Sequence, residues 1–294
     1  GPDGVFVLPS ALGVGARPLW MHHQGALRKG PALPAVVVPH SGFARQDTVW
    51  VGAVRGQLLV SRDGGDFGLE LLKPSLENSI QAIWVSKDKS RGLLLGSSGE
   101  VYERRKGSWV GVDRAKSLQG ETAGSFQAIW SPPDESELWI VGPRVMRRRD
   151  DTWVTMPVPL SHVPHAQGSE ERYQAIDGTS PSDVWVVGRA GSAYHYDGKT
   201  WASVAEIETD APFRSVVSLQ GNGWLTVSED GIAVEGDGAS VAKTTRIDPR
   251  QIRPVMKAAD GSVLLEVGSR LMQRRGDGWV EVSSSKYVFG ADAA

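Results

Sequence analysis

The stretch Val184-Trp185-Val186-Val187-Gly188 decides the fold, because versions of it return along most of the chain. Each version is a short apolar strand, often with a tryptophan near its start. The versions are Thr48–Gly52, Gly92–Gly96, Leu138–Gly142, Val184–Gly188, Gly223–Val227 and Val263–Val267. Their matching residues lie at positions 50, 93, 139, 185, 224 and 264, with gaps of 43, 46, 46, 39 and 40 residues. A period of about 40–50 residues is typical of a four-stranded propeller blade.

Three more strands accompany each of these landmark strands, which we call strand B. The preceding strand, strand A, often reads aromatic or Ile-Gln-Ala-Ile, with copies at Ile80–Trp84, Phe126–Trp130, Tyr173–Ile176, Phe213–Val216 and Ile252–Val255. Two strands, C and D, follow strand B and are joined by a polar turn. They span Val101–Trp109, Val145–Trp153, Ala193–Trp201 and Leu271–Trp279, with Leu59–Phe67 in the same frame. The repeat therefore predicts an all-β chain of four-stranded blades.

The two ends of the chain each carry part of a repeat. Residues 5–32 supply strands B, C and D without a strand A, and residues 285–290 supply a strand in the A position. If these ends share one blade, the ring closes and the exposed strand edges are paired. Complete repeats begin at Leu33, Ile80, Phe126, Tyr173, Phe213 and Ile252. We therefore predict a closed seven-bladed β-propeller that forms a single domain over residues 1–294.

Composition excludes several classes of protein. The 294 residues hold 32 Lys and Arg against 34 Asp and Glu, so charge gives no reason to expect a nucleic-acid partner. The absence of cysteine excludes disulfides, thiolate metal sites and cysteine nucleophiles. No apolar run is long enough to span a bilayer, and no signal peptide opens the chain. Gly1-Pro2 matches the remnant of a cleaved purification tag, so we expect a trimmed N-terminus.

Residues 178–188, Gly-Thr-Ser-Pro-Ser-Asp-Val-Trp-Val-Val-Gly, with the turn at Tyr196–Trp201, resemble a bacterial repeat. That repeat has the form G-x-S-P-S-D-V-W-x-V-G, followed by D-G-x-x-W. The match is close in this blade and degenerate in the others. It implies membership of a group of uncharacterised, propeller-like bacterial proteins. Many of them are exported, which implies the cell envelope or the exterior, while a cytoplasmic location stays open. The resemblance implies no catalytic residues.

Strand C repeats a basic position that we call the basic rim. Its members are Arg104, Arg105, Arg148, Arg149, Arg274 and Arg275. Such a rim could bind acidic protein, phosphate or anionic lipid. The alternative, which we favour, is that the arginine stems pack over the strand D tryptophans with their charged groups in water.

Strand A repeats a second polar position, which a propeller would place around the mouth of its central channel. Its members are Gln81, Gln127, Gln174, Arg214 and Arg253. Together they could hold an anionic group. The favoured alternative is that they satisfy backbone groups or water in the channel.

The longest connection, Met156–Arg172, is predicted to bind a partner on the loop face. It carries His162, His165, Glu170 and Glu171, and it has no counterpart in the other repeats. Loops vary in length without disturbing the sheets, so specificity often lies there. Two histidines without a third fixed ligand do not define a zinc site, so no metal and no cofactor is predicted.

The sequence favours a non-catalytic binding or scaffold module whose partner is another protein. It contains no G-x-S-x-G nucleophile turn, no phosphate-binding loop and no dinucleotide fingerprint. A carbohydrate-binding lectin is the alternative, and a glycan hydrolase ranks below it. A lectin would present tryptophans as sugar platforms. Here the strand D tryptophans occupy repeat positions and are expected to be largely buried, namely Trp109, Trp153, Trp201 and Trp279.

Overall fold

The computed structural model describes most of the chain as short strands. The described residues are 5–7, 17–23, 26–34, 37, 39–112, 126–159, 173–204, 207, 209–219, 221–247, 255–257, 262–267, 270–276 and 278–281. Within these ranges the strands form seven sheets, and one 3-10 turn, Val54–Gly56, is the single helical element. The prediction of an all-β chain is confirmed.

The first three sheets contain strands β1 to β12. The first sheet has the order β1 (Val5–Val7), β2 (Arg17–His23) and β3 (Ala26–Leu33). The second sheet has the order β4 (Pro39–Arg45), β5 (Thr48–Ala53), β6 (Leu58–Arg62) and β7 (Gly68–Glu70). The third sheet has the spatial order β8-β12-β11-β10-β9, with β8 (Leu72–Lys73), β9 (Ile80–Val85), β10 (Gly92–Gly96), β11 (Val101–Arg105) and β12 (Ser108–Val112).

The other four sheets each have four strands in chain order. The fourth contains β13 (Ala128–Trp130), β14 (Leu138–Val141), β15 (Val145–Arg149) and β16 (Thr152–Thr155). The fifth contains β17 (Tyr173–Ser180), β18 (Asp183–Gly188), β19 (Ala193–Tyr196) and β20 (Trp201–Ser203). The sixth contains β21 (Phe213–Ser218), β22 (Gly223–Ser228), β23 (Ile232–Asp237) and β24 (Ser240–Arg246). The seventh contains β25 (Met256–Lys257), β26 (Val263–Val267), β27 (Arg270–Arg275) and β28 (Gly278–Glu281).

Two compact units divide the chain. Unit 1 contains residues 1–113, 257–264 and 269–294, and unit 2 contains residues 114–256 and 265–268. The first three sheets lie in unit 1, and the fourth, fifth and sixth lie in unit 2. The single domain predicted over residues 1–294 stays a prediction.

The order of strands A, B, C and D follows the repeat that the sequence predicts. In the second sheet, for example, β4, β5, β6 and β7 are successive antiparallel neighbours, because short turns join consecutive strands. The first sheet has three strands, at the predicted B, C and D positions within residues 5–32. Residues 285–290, predicted to complete it, lie outside the described part of the chain.

One predicted boundary is wrong. The sequence predicts that one repeat begins at Leu33. In the structure, strand A of that repeat is Pro39–Arg45, and Leu33 is the last residue of β3. Pro34 follows Leu33 and has no N–H to donate to a neighbouring strand. The Pro34 carbonyl accepts a hydrogen bond from the Val37 N–H at 3.0 Å, so the chain turns before the next strand begins.

Tryptophans fill the core of each unit. Trp50, Trp139, Trp185 and Trp224 on strand B are fully buried, as are Trp109 and Trp153 on strand D. Two of the strand D tryptophans that were predicted to be largely buried, Trp201 and Trp279, are half-buried. In unit 2, the Trp185 ring stacks on Trp224 at 5.0 Å between centroids, which joins the fifth sheet to the sixth.

Neighbouring sheets within a unit are also joined by hydrogen bonds between residues about one repeat apart. In unit 1, the Ser41 hydroxyl donates to the Ile80 carbonyl at 2.7 Å, and the Arg45 Nε donates to the Val85 carbonyl at 3.3 Å. In unit 2, the Ser218 N–H and hydroxyl both donate to the Asp177 carboxylate, at 2.7 and 2.9 Å. These bonds fix the position of strand A in each sheet against the next.

Candidate functional site

Several residues that the sequence singles out lie outside the described part of the chain. These are the loop residues His162, His165, Glu170 and Glu171, and Arg253 of the strand A set. A partner-binding role for the loop stays a prediction.

The first arginine of the basic rim packs inward in two sheets. The Arg104 guanidinium lies 5.6 Å from the centre of the Trp109 ring and forms an ion pair with Glu70. The Arg148 guanidinium lies 5.9 Å from the centre of the Trp153 ring and pairs with Asp151. Strand pairing explains this, because Arg104 faces Trp109 across β11 and β12, and Arg148 faces Trp153 across β15 and β16.

The second arginine of the basic rim points toward solvent. Arg105, Arg149 and Arg275 are exposed. Arg105 pairs with Glu103 at 2.5 Å, and Arg149 pairs with Glu137 at 3.2 Å. Arg274 is half-buried and faces Trp279 across β27 and β28.

Two members of the strand A set, Gln174 and Arg214, contact each other in unit 2. The Arg214 Nη1 donates to the Gln174 side-chain carbonyl at 3.0 Å, and the Arg214 Nε donates to Glu229. In unit 1, the Gln81 side-chain oxygen lies 2.9 Å from the Nε2 of His40. Gln127 is half-buried in unit 2.

Two buried acid–base clusters were not predicted from the sequence. Each lies at the start of strand B, one in the fourth sheet and one in the fifth. In the fourth sheet, the fully buried Glu137 accepts from the Trp139 Nε1 at 2.9 Å and pairs with Arg147 at 2.5 Å. The Arg147 guanidinium also lies 5.2 Å from the centre of the Trp139 ring. The sequence pattern that could have predicted this cluster is an acidic residue two positions before the strand B tryptophan, together with a basic residue on strand C.

The corresponding cluster in the fifth sheet contains Asp183 and His195. The His195 Nε2 lies 2.8 Å from the Asp183 Oδ1, and the imidazole stacks on Trp185 at 4.2 Å. Burial disfavours the charged form of Asp183, but hydrogen bonds with His195 and Thr179 outweigh it and hold the pKa of this carboxyl below its ordinary value. Both carboxylates are therefore paired within their own sheet.

An open cleft of about 350 Å³ lies in unit 1 beside the outer strands of the second and third sheets. We call it the edge cleft. It is lined by Val60, Arg62, Gly68, Leu69, Glu70, Leu71, Lys73, Gly107 and Ser108. Leu69 and Leu71 are 62% and 68% exposed, more than the other large apolar side chains of the described residues. An open cleft with an apolar wall and charged residues can bind another molecule.

Two kinds of site receive no support from the described residues. Nowhere in these ranges do three or more His, Asp or Glu side chains lie where they could hold a metal ion. No helix within the same ranges is long and apolar enough to cross a membrane.

Comparison with known proteins identifies the fold. No family model matches the chain, and no curated protein sequence matches it. The WD40 β-propeller domain of Doa1 has a TM-score of 0.63 at 10% identity, covering 81% of this chain and 79% of that one. Virginiamycin B lyase from Staphylococcus aureus has a TM-score of 0.65 at 11% identity, covering 84% of both chains. YCF48, solved with the D1 peptide, has a TM-score of 0.60 at 15% identity, covering 83% and 80%. These similarities show a β-propeller fold.

Proposed function

We propose that this chain is a non-catalytic propeller that binds another protein and acts as a scaffold in a larger assembly. The observation that carries the proposal is the edge cleft, where Leu69 and Leu71 expose most of their side chains next to Arg62 and Lys73. Exposed apolar residues that are grouped and bordered by charge are typical of protein interaction sites.

Two of the similar structures support a protein partner. One is the WD40 domain of Doa1, and the other is YCF48 bound to the D1 peptide. Virginiamycin B lyase is an enzyme with a similar fold, so the fold does not decide between binding and catalysis.

We also propose that the seven sheets close as seven blades. Among the described residues, the first sheet has three strands where every other sheet has four or five, and the outer edge of β1 corresponds to the strand A position. Residues 285–290 have the apolar pattern of strand A. Pairing them with β1 would complete the blade and remove an exposed edge.

Deleting residues 285–294 is expected to lower the melting temperature sharply, because β1 would lose the strand proposed to pair with its other edge. In a large domain, each kcal/mol lost corresponds to about 2–4 °C. Differential scanning calorimetry measures the shift, and deletion of residues 291–294 alone is the matched control. An unchanged melting curve for the longer deletion would contradict closure by this segment.

Affinity capture tests the interaction function. The whole chain is used as bait in extracts treated with nucleases and glycosidases, and each captured protein is then purified and titrated against the chain by calorimetry. We expect saturable binding of a purified protein. A glycan array run in parallel tests the lectin alternative. Binding to glycans without any protein that binds in the titration would overturn the proposal.

A further inference from the structure

We propose that the edge cleft binds an extended segment of the partner protein in which apolar side chains alternate with acidic ones, and that this segment adds a strand to the outer edge of β7. The inference rests on the proposed protein-interaction function. It goes further by assigning the site, the mode of binding and the chemistry of the partner.

The outer edge of β7 is open to an added strand. β7 pairs with β6 through Gly68 and Val60, Leu69 and Leu59, and Glu70 and Leu58. It is the last strand of the second sheet, so no further strand pairs with it among the described residues. Proteins commonly protect such edges with lysine, proline or a covering segment. β7 has the sequence Gly-Leu-Glu, without lysine or proline, and the exposed Leu69 side chain leaves apolar surface at this edge that a partner strand can cover.

The neighbouring sheet already accepts an added strand in this region. β8 comes from the connection that follows β7, and it pairs in parallel with the outer strand β12. The paired residues are Leu72 with Trp109 and Lys73 with Val110. The outer edge of a sheet in this unit can therefore bind an extended segment from outside its four-stranded repeat.

Side chains along the cleft alternate as they do on a strand. Leu69, Leu71 and Lys73 are exposed, while Glu70 is half-buried and Leu72 is buried. In an extended chain, every second side chain points to the same face. A partner strand would therefore place alternate apolar side chains against Leu69 and Leu71.

Charge in the edge cleft favours an acidic partner. Arg62 and Lys73 line the cleft, and the Arg62 side chain is 60% exposed. Glu70 is the one acid among the described lining residues, and its two oxygens already face Arg62 and Arg104. Asp63 and Asp66 lie in the adjoining turn but do not line the cleft. Arg62 and Lys73 outnumber this single carboxylate among the lining residues, so a carboxylate on the partner would meet a net positive charge.

Fluorescence anisotropy with the full chain and three labelled ten-residue peptides tests the proposal. One peptide alternates leucine with glutamate, the second leucine with lysine, and the third serine with glutamate, all at nanomolar concentration to prevent self-assembly. We expect the leucine–glutamate peptide to bind at least about tenfold more tightly than either of the others, a difference of about 1.4 kcal/mol. Equal affinities for the three peptides would overturn the proposal.

Substitutions in the edge cleft then test whether the peptide binds there. Leu69→Ser combined with Leu71→Ser is expected to weaken binding of the leucine–glutamate peptide at least about tenfold. Arg62→Glu combined with Lys73→Glu should shift the preference toward the leucine–lysine peptide. Val154→Ser is the matched control, because Val154 is 52% exposed on β16 of unit 2 and lies outside the cleft. If the double substitution alters the melting curve, the Leu71→Ser variant alone is used for the binding measurement. Undiminished binding by the leucine variants would show that the site lies elsewhere.

The purified partner separates this inference from the proposed function. If the captured protein binds the leucine variants as tightly as the unaltered chain, the assignment of the binding site to the edge cleft is wrong, while the proposed interaction function stands. Replacing Ser161–Ser169 with a glycine–serine linker then tests the predicted loop. Analytical ultracentrifugation of the chain without any peptide tests whether a second copy of the chain binds this edge instead. Self-association that the leucine substitutions abolish would assign the edge to a second copy of this chain and overturn the proposal.

Discussion

Replacing Trp185 with alanine is expected to lower the free energy of unfolding by about 3–5 kcal/mol. The side chain is fully buried and is stacked between two rings, Trp224 of the sixth sheet and His195 of its own sheet. Its removal therefore leaves a cavity between two sheets and exposes the face of Trp224. The lost free energy has two parts. One is the free energy gained when the indole is transferred from water to the core, and the other is the van der Waals contacts of the atoms that line the cavity.

Urea denaturation measures this effect as a shift in the midpoint at constant slope. Trp201→Ala is the matched control, because Trp201 is half-buried and should give a smaller loss. If the two substitutions cost the same, the stacking between the fifth and sixth sheets would not be a main source of stability.

Replacing Glu137 with alanine is expected to cost about 3 kcal/mol. Breaking a buried ion pair costs about 3–5 kcal/mol because a charge is left without its partner. Here Glu137 is fully buried and binds Arg147, Arg149 and the Trp139 indole N–H. The lower end of the range applies, because Arg149 is exposed and water can take over its hydrogen bonds.

The matched control is Asp151→Asn, which removes a carboxylate that also pairs with an arginine of the same sheet. The Asp151 side chain is 91% exposed, so we expect a change within about 0.5 kcal/mol. Urea denaturation compares the two variants. A loss at Glu137 no larger than that at Asp151 would contradict a stabilising role for the buried cluster.

Strand order could be predicted because each repeat combines an alternating apolar pattern with short turns. Such signals are local, so Leu138–Val141 and Val145–Arg149 were predicted within a residue or two. β8 was missed because two residues carry no periodicity, and its partner, β12, is an outer strand more than thirty residues away in the chain. The start of the second repeat was misplaced because Leu33 is apolar, like the residues that begin strand A in other repeats, although it ends β3.

The candidate site was harder to predict than the fold. The run Gly68-Leu69-Glu70-Leu71-Leu72 has the composition of an interior strand, and its exposure depends on which sheet lies beside it. The two roles considered for Arg104 and Arg148 could both be formulated from sequence, because the repeat aligns these arginines with tryptophans on strand D. Their packing required the register of β11 with β12 and of β15 with β16.

The polar clusters at the start of strand B bear on how a chain of similar repeats avoids assembling incorrectly. The fourth sheet joins Glu137 to Arg147, the fifth joins Asp183 to His195, and the Gln273 amide donates to the Ser262 hydroxyl on the seventh. Exchanging a hairpin between repeats would bury a carboxylate against glutamine, or an arginine against serine, without a matching partner. These different polar pairs therefore disfavour pairing between strands of different repeats, which would otherwise compete for the same edge during folding.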